Sequence, residues 1–252
     1  MYYCFMDFDG TLTSNFRNLN QMEKEILNNY LKNNELCIIT EEKYEIIKDY
    51  LTNNGISCDI AAIGSNTLLF KNEIIKPSIE YDKVISIYKL AKNDIYTAYF
   101  EYDNRTEIIN YQERLEPLYP KINREIVEFP SGECNSIFIA ISIILKKSLI
   151  DLLNNINLSY VSYGEDKNRK ILKISSSFTK KEDIFDYLSD YLKNKKTIGI
   201  SDSSHDIPII DKCDIKLAMK NGDKIIKNKY QNTIYDCDNS GALLELKNIS
   251  KL

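Results

Sequence analysis

Apolar residues in this chain fall into short continuous blocks separated by stretches with helical spacing. Tyr2–Met6 is an apolar run that stops at an acidic, glycine-containing turn, as a buried strand does. Gln21–Leu31 then places Met22, Ile26, Leu27 and Leu31 one helical turn apart. A second apolar run, Glu35–Ile39, precedes a helical pattern through Tyr44, Ile46, Ile47 and Leu51, and Asp59–Ile63 is a third strand candidate. Strand, helix, strand, helix, strand predicts an α/β unit with a parallel sheet. The pattern returns near the end of the chain. Lys181–Leu192 reads as a helix with Ile184, Phe185, Leu188 and Leu192 on one side, and Thr197–Ile200 as a strand. Ile207–Ile210 suits a short helix, Lys216–Met219 a strand and Gly241–Leu246 a closing helix.

The middle of the chain follows another rule. A helix over Val84–Ala91 precedes strand candidates at Ile95–Tyr102 and Ser136–Ile143, then a helix over Leu149–Ile156. Strands at Leu158–Tyr163 and Ile171–Ile174 are joined by the polar turn Gly164–Lys170. Strands joined by polar turns predict an antiparallel sheet, here with helices on one face. The expected organisation is a Rossmann-like α/β core over residues 1–77 and 176–252, with an α+β domain inserted over 78–175.

Composition narrows the function. The 252 residues are 43% hydrophobic and 28% charged, enough to bury a core, and the formal net charge of -4 argues against a nucleic-acid binder. The basic stretch Lys220, Lys224, Lys227 and Lys229 reads as a solvated helix face. The longest apolar run, Ile137–Leu145, is too short to span a bilayer and is closed by Lys146 and Lys147. With no secretory signal visible and six scattered cysteines, the expectation is a cytoplasmic protein with reduced thiols. No membrane and no protein partner is indicated. His205 is the only histidine, which leaves little material for a zinc site or a Ser-His-Asp triad.

The candidate chemistry is carboxylate chemistry. Asp7 and Asp9, in the string Asp7-Phe8-Asp9-Gly10-Thr11-Leu12-Thr13, end the first strand. Residues two apart on a strand point to one side, and the carboxyl end of a parallel strand is where open α/β sheets bind ligands. Gly10 permits a sharp turn and close approach of backbone. A second pair, Asp202 and Asp206, follows the strand at Thr197–Ile200, and hard carboxylate oxygens suit magnesium. Taken alone that pair reads as a helix N-cap; beside Asp7 and Asp9 it reads as part of a site. Thr40 ends the second strand, where a hydroxyl can donate to a phosphoryl oxygen or simply cap a helix. Lys180 and Lys181 precede a helix, and either is a candidate to neutralise phosphoryl charge.

These motifs, in this order over nearly the whole chain, resemble the haloacid dehalogenase-like hydrolases, and within them the Cof-type phosphatases. Asp7 and Asp9 match the first motif, Thr40 the second, Lys180 the third, and Asp202 with Asp206 the fourth. Ala218-Met219-Lys220-Asn221 and Asn239-Ser240-Gly241 are similar to Cof-type sequences, and Asn66 matches an Asn-Gly pair with Thr67 in place of Gly. DFDGTLT also resembles phosphomannomutases, whose Gly-rich fourth motif is missing. The resemblance implies a Rossmann-like core with an inserted cap, and a magnesium-dependent phosphomonoester hydrolase acting on a small phosphorylated metabolite, a sugar phosphate foremost. A phosphomutase, or a catalytically weak phosphometabolite-binding protein, is the alternative. It further implies Asp7 as nucleophile, Asp9 as acid/base, and Thr40 and Lys180 as phosphate-binding groups. Asp7, Asp9, Asp202 and Asp206 would hold the metal, with Gly10 and His205 supporting. Three positions depart from the family: Glu41-Glu42 in place of Gly-Arg, Ser201 in place of Gly, and His205 in place of Asn. The expectation for His205 is a hydrogen bond within the acidic site and, on protonation, weaker magnesium binding below about pH 6.5.

Overall fold

The computed structural model describes residues 1–112, 123–165, 167–176, 178 and 180–250. They form two compact units, Met1–Ile75 with Lys180–Leu252, and Lys76–Thr179.

The first unit is built on strands β1 (Tyr2–Asp7), β2 (Glu35–Thr40), β3 (Asp59–Ala62), β4 (Thr67–Phe70), β5 (Glu73–Ile75), β12 (Lys196–Ser201), β13 (Ile215–Ala218) and β14 (Gln231–Asn232). Their order is β14-β13-β12-β1-β2-β3-β4-β5, parallel from β14 to β3 and antiparallel beyond. The chain leaves β1 toward β2 on one side and returns through β12 on the other. The carboxyl end of β1 is therefore a topological switch point, where such sheets open a crevice.

Alternation along β1 assigns its two faces. Cys4 and Met6 join Leu36, Ile38, Ile198 and Ile200 in a core covered by α1 (Gln21–Leu31), α2 (Tyr44–Asn53) and α9 (Gly241–Ile249). Helix α1 starts at a capping box: Asn20 Oδ1 accepts from Glu23 N at 3.0 Å, and Glu23 Oε2 accepts from Asn20 N at 2.7 Å. Tyr3 and Phe5 point to the other face, under α5 (Lys181–Tyr187), α6 (Ser189–Leu192) and α7 (Ile207–Ile210), with the Phe5 ring tilted against Phe185 at 5.5 Å and Tyr3 edge-on to Tyr191 at 6.1 Å. Asp7 has the parity of Tyr3 and Phe5, so it emerges on the α5 side.

The single helix expected over Lys181–Leu192 is two, divided at Leu188, whose φ and ψ of -86° and 3° leave the helical region. Strands β4, β5 and β14 were not anticipated as elements, each being four residues or shorter, whereas helix α8 (Lys224–Lys229) falls on the basic stretch read as a helix face. Three of the four lysines of the basic stretch lie in or start α8, whose cap is Asp223.

The second unit holds β6 (Ile95–Glu101), β7 (Thr106–Ile109), β8 (Arg124–Ile126), β9 (Ser136–Ser142), β10 (Ser159–Glu165) and β11 (Arg169–Ser175), in the order β10-β11-β9-β6-β7-β8. Its pairs are antiparallel except β7 with β8. Helices α3 (Tyr81–Ala91) and α4 (Lys146–Asn155) bury Val84, Ile87, Leu149 and Leu153 against Ala98, Phe100, Ile139 and Leu172 on one face. Position 166 of the expected Gly164–Lys170 turn lies outside the described residues; the strands run closer to it than expected, to Glu165 and from Arg169. Among the described residues no helix is long and apolar enough to cross a membrane.

Candidate active site

The first, second and fourth motifs lie at the carboxyl edge of the sheet. Asp7 ends β1, Thr40 ends the neighbouring β2, and Ser201, just before Asp202, ends β12 on the other side. Asp7 is 9% exposed, and its Oδ1 accepts from Lys181 Nζ at 2.5 Å. The same ammonium pairs with Asp206 Oδ1 at 2.8 Å. Lys181 is the first residue of α5, the helix that covers the β1 face on which Asp7 emerges, so its stem runs under the helix to the strand end. Burial alone would lower its pKa; the two carboxylates outweigh burial and hold it above the ordinary lysine value.

This corrects the assignment of the third motif. Lys180 is exposed and precedes the helix, with its backbone N donating to Asp183 Oδ2 at 2.9 Å and its backbone O accepting from Asp183 N at 3.1 Å. It is used as the entry to α5, and the ammonium at Asp7 belongs to Lys181.

Asp7 itself is pushed up from 3.8 to about 7. Burial is the largest cause; Lys181 opposes it, and the carboxylates of Asp206 and Asp202 add to it. Asp202 is also raised, chiefly by burial and further by Asp206, with Thr11 and Lys181 opposing. Thr11 Oγ1 donates to Asp202 Oδ1 at 3.3 Å.

Gly10 explains how Asp202 comes so near the first motif. Its φ is +78°, and a Cβ built there would lie 2.2 Å from Asp202 Oδ2. Only a glycine both adopts that conformation cheaply and lets the carboxylate close on the backbone. The turn is held by Gly10 N donating to Thr13 O at 2.8 Å and by Leu12 N and Thr13 N donating to Phe8 O. Phe8 is buried in the core while Asp9, one residue on, is exposed. Asp9 thus lies past the strand, in the turn, with its carboxylate open to water.

The fourth motif is braced by the residue that departs from the family. Ser201 Oγ donates to Asp206 Oδ2 at 2.5 Å and accepts from Ser203 N at 3.0 Å. A glycine there would supply neither bond. The expected role of His205 is corrected on the same ground. The residue is exposed, and its backbone N donates to Ser203 Oγ at 3.2 Å. In the turn Ser204–Asp206 it faces outward while Asp206 faces in, and Ser201 takes the hydrogen bond that the imidazole was expected to make. Thr40 is buried, and its Oγ1 accepts from Glu42 N at 3.0 Å, which leaves its own proton for a ligand oxygen. Glu41 is exposed and Glu42 half-buried beside it.

Among the described residues no three carboxylate, thiol or imidazole groups are close enough to enclose an ion by themselves. Magnesium keeps several of its waters and needs only one or two protein carboxylates, so the donor set of Asp7 and Asp202, hard oxygens of which Asp202 raises the pKa of Asp7, fits it. Sequence reading missed Ser201 and Thr11 as supporting residues; their only signal was a hydroxyl beside a motif aspartate.

A model of the haloacid dehalogenase-like hydrolase family matches residues 4–246, and the chain belongs to that family. Its likeness to solved structures is one of fold. A phosphatase of the haloalkanoate superfamily from Bacteroides thetaiotaomicron is 17% identical, with a TM-score of 0.68 over 100% of this chain and 96% of that one. A subclass IIB sugar phosphatase of the same superfamily is 15% identical, with a TM-score of 0.61 over 100% of both chains. A haloacid dehalogenase-like hydrolase from B. subtilis is 14% identical, with a TM-score of 0.62 over 98% and 99%. No curated protein matches the chain in sequence.

Proposed function

We propose that this chain is a magnesium-dependent phosphatase that removes the phosphoryl group of a small phosphorylated metabolite, a sugar phosphate foremost, through an aspartyl-phosphate on Asp7. The observation that carries the reading is the buried Lys181 ammonium between Asp7 and Asp206 at the switch point of the sheet. That cation fixes Asp7 Oδ1, so Oδ2 is the attacking oxygen. Oδ2 forms a bond to phosphorus as the bond to the leaving oxygen breaks, and Asp9, exposed at the turn, gives that oxygen its proton. Asp9 then takes a proton from a water whose oxygen attacks phosphorus, and the bond to Asp7 breaks, which releases phosphate and restores the carboxylate. Thr40 and Lys181 donate to the non-reacting phosphoryl oxygens. Magnesium, held by Asp7, the backbone carbonyl of Asp9 and Asp202, with Asp206 supporting, supplies positive charge against the transferring group. The raised pKa of Asp7 suits a carboxylate whose ionised form a bound cation would favour. Six free cysteines favour a reducing, cytoplasmic setting.

The test is release of phosphate from an aryl phosphate, with magnesium and with a chelator. Turnover that needs magnesium and disappears in Asp7→Asn supports the reading; magnesium-independent turnover, or turnover retained in Asp7→Asn, contradicts it. A panel of sugar phosphates and other phosphorylated metabolites then ranks the substrates.

A further inference from the structure

The turn that carries Asp9 and Gly10 is tied down by a residue outside the four motifs. Asn221 lies in the segment that follows β13. Its Nδ2 donates to Gly10 O at 2.7 Å, and its Oδ1 accepts from Cys237 N at 3.0 Å. One carboxamide therefore joins the motif turn to the short 3-10 turn Cys237–Asn239. Asparagine suits the position because a single small group both donates to a carbonyl and accepts from an amide; aspartate lacks the donor and lysine the acceptor.

The tie acts where the site has least slack. Gly10 lies against the Asp202 carboxylate with no room for a methyl group. Asp202 is in turn gripped by the segment that contains Asn221: Asp223 N donates to Asp202 O at 2.9 Å. That segment is itself anchored, with Met219 N bonded to Ser201 O and Gly222 N to Met219 O, each at 2.8 Å. One short stretch of chain thus holds both halves of the site, the Asp9–Gly10 turn through a side chain and Asp202 through the backbone. A displacement of Gly10 moves the Asp9 carbonyl relative to the Asp202 carboxylate, two of the groups that would hold the proposed ion.

We infer that Asn221 is a positioning residue that sets the spacing between the Asp9–Gly10 backbone and Asp202, and through it the affinity of the site for magnesium. The inference rests on the magnesium-dependent reading above. Outer contacts of metal ligands commonly govern about 10–100-fold in affinity; for an exposed hydrogen bond such as this one the lower end, about 10-fold, applies. Exposure also separates this role from a structural one. Truncation of an exposed side chain opens no cavity, and the loss of its two hydrogen bonds costs at most about 1–2 kcal/mol.

The experiment titrates metal-free protein with magnesium chloride by calorimetry, in wild type, Asn221→Ala and Ser14→Ala. Ser14 Oγ donates to Asp238 Oδ1, a second tie to the same C-terminal turn that does not touch Gly10. Asn221→Ala should bind magnesium about 10-fold more weakly, with kcat at saturating magnesium within a few-fold of wild type and a urea midpoint lowered by less than about 1 M; Ser14→Ala should bind as wild type does. If Asn221→Ala fails to fold, Asn221→Ser replaces it with the same expectation. Wild-type affinity in the Asn221 variant, or an equal loss in Ser14→Ala, overturns the inference and leaves the proposed function standing. Absence of magnesium binding in the wild type overturns both.

Discussion

Lys181 is the residue on which the geometry of the site turns, and removing its charge has a calculable effect. In Lys181→Met the apolar stem is kept and the ammonium is lost. Two carboxylates then remain buried without their partner, Asp7 with 11% and Asp206 with 2% of the side chain exposed. Breaking a buried pair in this way costs about 3–5 kcal/mol. At a urea slope of about 3 kcal/mol per M, the midpoint of metal-free protein should fall by about 1 M or more at pH 8. The loss should shrink at pH 5. Lys181 lowers the pKa of Asp7, which still lies near 7 with the cation in place. Without the cation that pKa rises further, while in the unfolded chain it returns to about 3.8. The cost of the buried charge is therefore fully present above the folded pKa and relieved as pH falls toward the unfolded one. Lys180→Met, on an exposed side chain, should stay within about 0.5 kcal/mol at both pH values and keep activity. Equal midpoints for the two variants, or a Lys181→Met deficit that does not change with pH, would refute the reasoning.

Two further outcomes follow from the same carboxylates. Asp7→Asn should raise the stability of metal-free protein at pH 8, by at most roughly 4 kcal/mol from the displacement of the Asp7 pKa, and should give no gain at pH 4, where the native carboxyl is already protonated; denaturant curves at the two values check this. Ser201→Ala removes the donor to buried Asp206 and should cost about 1–3 kcal/mol in the same measurement, whereas His205→Asn should leave both stability and the pH dependence of magnesium binding unchanged.

The parts of the fold that the sequence made legible are those with long, uniform patterns. The strands Tyr2–Asp7 and Glu35–Thr40 are continuous apolar runs, and their order with the intervening helix implied the switch point at Asp7. Strands such as Glu73–Ile75 and Gln231–Asn232 carry no periodic signal, because three or two residues at a sheet edge present no buried face. The site was legible where chemistry demands a rare residue, as at Asp7-Phe8-Asp9-Gly10, and illegible where neighbours are chemically alike. Lys180 and Lys181 differ only in which side of α5 they leave from, and that depends on how the helix lies over β1. His205 and Ser201 illustrate the same limit. An unusual residue between two motif aspartates attracted the role, while a small hydroxyl at the strand end, set by the parity of β12 to face Asp206, performs it.

The central claim is that Asp7 is phosphorylated during turnover, and it is most directly tested by acid-quenching the protein with magnesium and an aryl phosphate during the first turnover. Peptide mass spectrometry of the quenched protein should find a phosphoryl group on the carboxylate of Asp7, labile to hydroxylamine and missing from Asp7→Asn. Steady phosphate release with no phosphorylated carboxylate, or with the group on another residue, would contradict the account.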